Sequence, residues 1–157
     1  GIGVEAKEKE FEKLLDDYSS IMLKALADRL AEAFAECLHQ RVRIDLWGYA
    51  ADEHLSNDEM IDEKYRGIRP APGYPACPEH TVKQAMFDWL KAEEIGMTVT
   101  ESLAMLPAAS VSGFYLSHPQ ADYFNAAPIA ADQLEDLVKR SARDADEVRR
   151  ALASVIG

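Results

Sequence analysis

The sequence lacks the features that mark several large classes of protein. No apolar run among its 157 residues approaches the about 20 that a membrane-spanning helix needs. It contains no GxGxxG, P-loop, HExxH or paired CxxC motif, so the common nucleotide and zinc sites have no support. Cations are scarce, because 17 Lys and Arg stand against 28 Asp and Glu, for a net charge of -11. Nucleic acids and anionic membranes bind through clustered cations, so we expect neither as a partner.

Cysteine is also scarce. Cys37 and Cys77 make no disulfide framework, and no secretory signal precedes them, so a reducing, cytoplasmic setting is expected. Cys77 and His80 stand three residues apart, a spacing that would suit a metal site or a Cys-His nucleophile pair. No further ligand or orienting group lies nearby, so a structural role is the better interpretation. The chain begins Gly-Ile-Gly without a methionine, which favours an excised piece of a longer protein.

The first third of the chain predicts one long helix over about 6–43, a segment without Gly or Pro. Its apolar residues fall in one sector at 100° per residue, so we expect a central spine on which other elements pack. That sector contains Phe11, Leu15, Tyr18, Met22, Leu23, Leu26, Leu30, Phe34 and Cys37. The polar side carries a row at spacing i+4, which is either a solvated face or, at the margin of the apolar sector, a functional one. The row consists of Lys24, Asp28, Glu32 and Glu36.

The rest of the chain predicts shorter elements, and together they indicate an α+β fold. Ser56 caps a short helix that ends near Tyr65, and a second amphipathic helix covers about 79–94 with Val82, Met86, Phe87 and Leu90 inward. Strand-like segments at about 110–129 favour an antiparallel hairpin, and two helices follow over about 131–155. The predicted architecture is a long central helix with surrounding helices and a small antiparallel hairpin or sheet.

The segment 67–80 differs from the rest in composition. Residues 67–78 hold four of the seven prolines and two of the eight glycines, so this segment is neither helix nor central strand. It predicts an ordered, extended loop whose backbone polar groups are free to meet a ligand. Arg69 can bind a carboxylate and Tyr74 can cover a flat or cationic group, which suits a zwitterionic, partly aromatic molecule. The alternative is structural, with Arg69 capping a helix and Tyr74 filling the core.

The loop at 69–80 has the sequence RPAPGYPACPEH, and further segments stand around it in a fixed order. They are KALADRLAEAFAE (24–36), WGYA (47–50), LSN (55–57), TES (100–102), ASVSG (109–113) and SHP (117–119). In composition, order and spacing these segments resemble the activation domain of cobalamin-dependent methionine synthase. The resemblance covers essentially the whole chain, but that domain is about twice as long. It therefore implies that 1–157 is the C-terminal part of an activation domain.

The resemblance also implies a function. In that family the enzyme moves a methyl group from methyltetrahydrofolate to homocysteine through cobalamin, which occasionally oxidises to inactive cob(II)alamin. The activation domain binds S-adenosylmethionine (AdoMet) and presents its methyl group to the cobalt, while a flavodoxin or a flavoprotein reductase supplies one electron. We therefore expect a part of a cytoplasmic methyltransferase of methionine biosynthesis that serves as its AdoMet-binding module and is inactive on its own.

The site residues follow from the same resemblance. The AdoMet contacts fall on Arg69, on the backbone of Ala71, on Tyr74, and on Tyr123 and Phe124, where the family often has two tyrosines. Glu32 and Glu63 are candidates to face the sulfonium or the edge of cobalamin; for each, the alternative is a solvated helix side. Methyl transfer needs alignment more than acid–base chemistry, which fits the absence of a general-acid motif.

The implied partners lie outside this chain. Cobalamin is bound mainly by another domain of the same enzyme, and zinc belongs only to a separate domain. A competing interpretation is a non-catalytic docking module that recruits a flavodoxin-like electron donor. Because flavodoxins are acidic, such docking requires a local basic patch, for which Arg41 and Arg43 are the candidates, or basic surface outside the chain.

Overall fold

The computed structural model describes residues 1–157, which form six α-helices and one two-stranded antiparallel sheet. This confirms the predicted mixture of helices with a small antiparallel sheet. The helices are α1 (Val4–Lys13), α2 (Asp17–Arg41), α3 (Asn57–Ile61), α4 (Val82–Leu90), α5 (Ala131–Ser141) and α6 (Ala145–Ala151). A π-helical turn (Val42–Leu46) follows α2 and a 3₁₀ turn (Ala92–Ile95) follows α4. The strands are β1 (Thr98–Val99) and β2 (Met105–Leu106). No helix combines the length and the apolar character needed to cross a membrane.

The predicted single helix over 6–43 is wrong at one point, because the chain breaks between α1 and α2. Leu15 has a left-handed backbone with a φ of 55°. Asp16 then caps α2 by accepting a hydrogen bond from the backbone N–H of Ser19 at 3.0 Å. An Asp at the N-cap position begins a new helix by satisfying one of its free N–H groups. The absence of Gly and Pro from the segment gave no indication of this start.

The apolar sector of α2 is also not buried as predicted. Only 15 of 157 residues are buried, and the helix exposes most of its large apolar side chains. Leu30 is 71% exposed and Phe34 is 67% exposed. The other exposed members of the sector are Leu15, Tyr18, Met22, Leu26 and Cys37. Periodicity identifies a face that favours burial, but it does not say which segment covers that face.

The helix predicted after Ser56 is confirmed at its start. The Ser56 hydroxyl accepts the backbone N–H of Glu59, and the Glu59 carboxylate accepts the backbone N–H of Ser56 at 2.9 Å. This reciprocal capping box fixes the first turn. The helix is shorter than predicted and ends at Ile61, because Glu63 takes a left-handed backbone with a φ of 53°.

The core includes two small clusters of buried apolar residues. The first contains Met86, Phe87 and Ala92, with Val82 and Phe114 packed against it. The second joins Leu134 of α5 to Val148 and Leu152 near α6. In α4 the predicted inward positions are confirmed for Met86 and Phe87. Leu90 is 75% exposed, so that prediction is wrong; the helix ends there, as Lys91 turns into a left-handed conformation.

The predicted hairpin over 110–129 is wrong. The antiparallel pair lies earlier in the chain, where Thr98 faces Leu106 and Val99 faces Met105. Residues 110–129 form no regular helix or strand and contribute only isolated bridges, from Leu116 to Ile68 and from Ile129 to Ile156. The segment has the β-branched and aromatic residues of a strand, yet its hydrogen bonds go to the proline-rich loop rather than back to itself. Its position places the 110–117 segment beside residues 68–71.

Candidate functional site

The proline-rich loop is held in place by pairing with the segment 114–116. The N–H of Ile68 donates to the carbonyl of Leu116 and the N–H of Leu116 donates back, each at 3.0 Å. The N–H of Phe114 donates to the carbonyl of Pro70, also at 3.0 Å. Gly113 allows this approach, because an added Cβ would lie 2.8 Å from the Pro70 oxygen. The backbone of residues 68–71 is therefore fixed although it belongs to no regular sheet.

The tip of the loop is a tight turn, and the His80 ring packs against it at Gly73. Gly73 donates its N–H to the carbonyl of Cys77 at 2.7 Å, and its φ of 96° suits glycine. A Cβ at Gly73 would lie 2.1 Å from the His80 ring. The ammonium of buried Lys83 contacts His80 Nδ1 and donates to the carbonyl of Leu103, both at 3.0 Å. This contact ties the tip to α4 and presents Tyr74 at the surface.

A cleft of about 770 Å³ lies between the loop, α2 and the 108–112 and 123–125 segments. Its lining includes six of the seven residues predicted from the sequence: Glu32, Arg69, Ala71, Tyr74, Tyr123 and Phe124. The seventh, Glu63, is exposed and does not line the cleft. Residues from three separate parts of the chain thus meet at one concave surface. We call this surface the loop cleft.

Arg69 is the most strongly held side chain of the loop cleft. Its Nη2 donates to Glu36 Oε2 at 2.5 Å and its Nη1 donates to the Tyr65 hydroxyl at 2.5 Å. His39 Nδ1 lies 3.3 Å from Nη1. Burial opposes the positive charge of Arg69, but Tyr65 and Glu36 outweigh it and raise its pKa above the usual value. Arg69 is therefore a permanent cation with a partly exposed side chain at the wall of the cleft.

Two polar groups of the cleft, unlike Arg69, have no hydrogen-bond partner in the chain. The backbone N–H of Ala71 makes no hydrogen bond, whereas its carbonyl accepts the backbone N–H of Tyr74 at 3.3 Å. The Ser112 hydroxyl is buried and has no hydrogen-bond partner. Buried polar groups normally find partners, so these two groups are suited to a polar ligand in the cleft.

The aromatic residues of the cleft differ in how firmly they are held. The Tyr123 hydroxyl accepts the backbone N–H of Arg69 at 2.8 Å, and burial raises the pKa of this phenol. Tyr74 and Phe124 are 67% and 69% exposed. Tyr123 therefore supports the loop, while the rings of Tyr74 and Phe124 are free to cover a ligand.

The acidic row of α2 divides into two roles. Glu32 lines the loop cleft, but its side chain is 55% exposed and pairs with Arg29 at 2.9 Å. Glu36 lies one turn further on and pairs with Arg69 across the fold. Glu32 is therefore largely solvated and Glu36 has a partner in the loop, and a functional role for the row stays a prediction.

His39 and Tyr65 were not identified from the sequence, although both are central to the geometry. His39 is fully buried, with its ring stacked on Tyr115 at 5.0 Å and edge-on to Tyr65 at 4.9 Å. Burial, together with the charges of Arg43 and Arg69, lowers the pKa of His39 to about 3. One signal was available: His39 follows Glu36 by three residues and so shares its helix face.

A second cleft of about 750 Å³ lies on the other side of Arg69 and is mainly apolar. Its wall on α2 consists of Leu23, Leu26, Ala27, Leu30, Ala31, Phe34, Ala35 and Leu38. Arg69 and the 110–112 segment line both clefts. The exposed sector of α2 is therefore one side of an open apolar groove.

The geometry does not support a metal site or a nucleophile pair formed by Cys77 and His80. Burial, with a smaller effect of Glu79, raises the pKa of the Cys77 thiol, which disfavours the reactive thiolate. His80 is engaged with Lys83, and no group of three or more His, Cys, Asp or Glu side chains is placed to hold a metal ion.

Comparison with known proteins gives two matches. Residues 1–142 match the family model described as the vitamin B12-dependent methionine synthase, activation domain. The whole chain also matches a crystal structure described as the MetH reactivation domain bound to AdoHcy (S-adenosylhomocysteine), with 55% identity and a TM-score of 0.93. This chain covers 49% of that structure's chain, so it spans about half the length of the protein it matches.

Proposed function

Because this chain belongs to the family of vitamin B12-dependent methionine synthase activation domains, we propose that its loop cleft binds AdoMet and presents the methyl group to cobalamin. The observation that carries the proposal is the Arg69 guanidinium and the unpartnered Ala71 N–H beside exposed aromatic rings in one cleft. The matched crystal structure holds AdoHcy, which is AdoMet without the transferable methyl group.

The chemistry of AdoMet fits the groups that line the loop cleft. Its carboxylate suits the Arg69 guanidinium, which offers a planar set of charged donors. Its adenine suits the rings of Tyr74 and Phe124, and polar ligand atoms suit the Ala71 N–H and the Ser112 hydroxyl. Its sulfonium favours carboxylates and aromatic faces, and Glu32 is the carboxylate that lines the cleft. Glu63 does not line it, so we assign Glu63 no contact.

The contribution of this chain to the reaction is binding and alignment. Cobalamin, held mainly by another domain, would supply the methyl acceptor and a flavodoxin-like donor would supply one electron, while this chain would hold AdoMet and afterwards release AdoHcy. Such a transfer requires sulfur, methyl carbon and cobalt in line, and the chain needs no general acid or base for it. The rigid backbone at 68–71 and the fixed Arg69 supply this alignment by holding the amino-acid end of AdoMet.

The exposed apolar groove along α2 indicates that this chain does not act alone. Leu30 and Phe34 are 71% and 67% exposed, and burying a side chain of this size contributes about 1.5–3 kcal/mol. The matched structure contains about as much chain again. We therefore propose that 1–157 is the C-terminal part of an activation domain, that the other part covers the groove, and that methyl transfer belongs to the whole methyltransferase in the cytoplasm.

The alternative, a module that docks a flavodoxin-like donor, finds less support. Arg43 is fully buried and pairs with Glu53 at 2.7 Å, so the expectation that it joins a surface patch is wrong. Arg41 is exposed, but it stands 3.6 Å from Asp45. The proposed basic docking patch is thereby reduced to one neutralised cation. An electron donor remains a proposed partner of the whole enzyme, as does its cobalamin-binding domain.

The proposal is tested by titrating AdoMet into the full-length protein in a calorimeter. Charge-assisted hydrogen bonds contribute about 1.5–3 kcal/mol each, so Arg69→Ala should weaken binding about 10- to 100-fold. Arg66→Ala is the matched control, because Arg66 is exposed and donates only to the carbonyls of Ser117 and Tyr49 outside the cleft. Equal affinities in Arg69→Ala and wild type would contradict the proposed site.

A further inference from the structure

The hydrogen bonds of Arg69 leave a specific part of its guanidinium free. The group has five N–H donors, two on each Nη and one on Nε. Nη1 meets Tyr65 and His39, and Nη2 meets Glu36, whereas Nε meets no protein atom. Three donors are therefore engaged, and the Nε–H and one Nη2–H remain. The Nε and Nη2 atoms lie along one edge of the planar guanidinium, and a carboxylate can bind to this edge in a bidentate manner.

The three partners of Arg69 do not themselves line the loop cleft. Glu36, His39 and Tyr65 are absent from its lining, while Arg69 is part of it. Each partner reaches the cleft only through the guanidinium. A contribution of these residues to ligand binding would therefore be indirect.

His39 can act only as an acceptor toward Arg69. A guanidinium has no acceptor atom, so Nδ1 must be unprotonated and the ring proton must lie on Nε2. Nε2 stands 3.3 Å from the Tyr49 hydroxyl, which can accept that proton in a hydrogen bond. The ring is fixed by the stacked Tyr115 and the edge-on Tyr65. The acceptor therefore has one position and one tautomer.

Tyr65 is held as firmly as His39. The guanidinium carbon of Arg43 lies 4.0 Å from the centre of the Tyr65 ring, and Arg43 is itself fixed by two short contacts to Glu53. The ring is buried, so the hydroxyl that meets Arg69 has little freedom. A buried layer of paired charges and rings thus stands behind the guanidinium.

We propose that Glu36, His39 and Tyr65 are positioning residues that direct the Nε–Nη2 side of Arg69 toward the carboxylate of an amino-acid ligand. The inference rests on the proposed function, which supplies the ligand, and extends it to residues that do not touch that ligand. Fixing the guanidinium before binding removes the entropy cost of ordering it. The effect is confined to ligands with a carboxylate, so these residues determine specificity for that part of the molecule.

The test compares two ligands in the full-length protein. AdoHcy carries the carboxylate, and 5′-methylthioadenosine has the same nucleoside and thioether but lacks the amino-acid end, which includes the carboxylate. Tyr65→Phe keeps the ring and removes the hydroxyl, so AdoHcy should bind about tenfold more weakly, as expected for about 1.4 kcal/mol. Binding of 5′-methylthioadenosine should change less than twofold. Tyr115→Phe is the matched control, since Tyr115 stacks on His39 and its hydroxyl makes no hydrogen bond in the chain.

A second pair of variants separates positioning from general support of the fold. His39→Asn places an amide oxygen near the site of Nδ1, whereas His39→Gln reaches the site of Nε2 and loses the acceptor for Arg69. His39→Asn should therefore retain more AdoHcy affinity than His39→Gln at similar stability. Equal losses in the two variants, or a Tyr65→Phe loss shared by both ligands, would overturn the proposal.

The proposal and the proposed function fail in different ways. If wild type bound neither ligand, the proposed function would be wrong, and crystal structures without ligand would decide the positioning claim. Arg69 should leave its position in Tyr65→Phe and keep it in Tyr115→Phe. An unmoved guanidinium in Tyr65→Phe would overturn the claim that this hydroxyl positions it.

Discussion

The buried imidazole of His39 should make the stability of α2 depend on pH. Its ring is fully buried, and burial with the charges of Arg43 and Arg69 lowers its pKa from 6.5 to about 3. Other ionisable groups around the ring are Glu36, Tyr49, Tyr65 and Tyr115. The folded protein therefore keeps the ring neutral at pH values at which the unfolded chain protonates it.

The sign and size of the effect follow from proton linkage. Between pH 6.5 and 3 the unfolded state binds more protons at this position, so stability falls as the pH falls. Above that window the loss of stability is absent, and below it the loss has reached its full size. One pKa unit corresponds to about 1.36 kcal/mol, so lowering the pH from about 7 to about 5 should remove about 2 kcal/mol.

The assay is hydrogen–deuterium exchange of peptides that contain residue 39, measured in the full-length protein and corrected for the intrinsic rate at each pH. His39→Asn cannot bind the extra proton, so its opening free energy should lack this pH-dependent part. His54→Asn is the matched control, because His54 is exposed. Parallel profiles for wild type and His39→Asn from pH 7 to 5 would refute the reasoning.

Two further predictions concern the supports of the site. Glu53→Gln leaves a fully buried guanidinium without its counter-ion, so the unfolding free energy should fall by about 3–5 kcal/mol in a urea titration, whereas exposed Asp52→Asn should change little. Gly73→Ala would bring a methyl group 2.1 Å from the His80 ring, and AdoMet affinity should fall about tenfold. Gly3→Ala has a similar positive φ in open space, so unchanged affinity there would separate crowding in the loop from backbone strain elsewhere.

The sequence predicted the residues of the loop cleft better than the path of the backbone. Composition marked the loop at 67–80, and the structure places Arg69, Ala71 and Tyr74 together on one wall. The hairpin over 110–129 was misplaced because strand propensity does not identify the partner strand. Leu116 pairs with Ile68, which is 48 positions earlier in the chain by their numbers.

The parts that escaped prediction depend on contacts between distant residues. The pairing of Glu36 with Arg69 and the burial of His39 arise only when the loop returns to α2. Helical periodicity placed Glu36 at the margin of the apolar sector, but it could not supply its partner. The same limit explains the apolar face of α2, whose tendency to be buried is evident from sequence while its covering segment is not.

The central claim is that the carboxylate of AdoMet meets the free side of Arg69 in the loop cleft. A crystal structure of the full-length protein with AdoHcy tests it most directly. We predict both carboxylate oxygens within hydrogen-bond distance of Arg69 Nε and Nη2, with Glu36, His39 and Tyr65 still in their present contacts. AdoHcy bound elsewhere, or in the loop cleft with its carboxylate away from Arg69, would contradict the account.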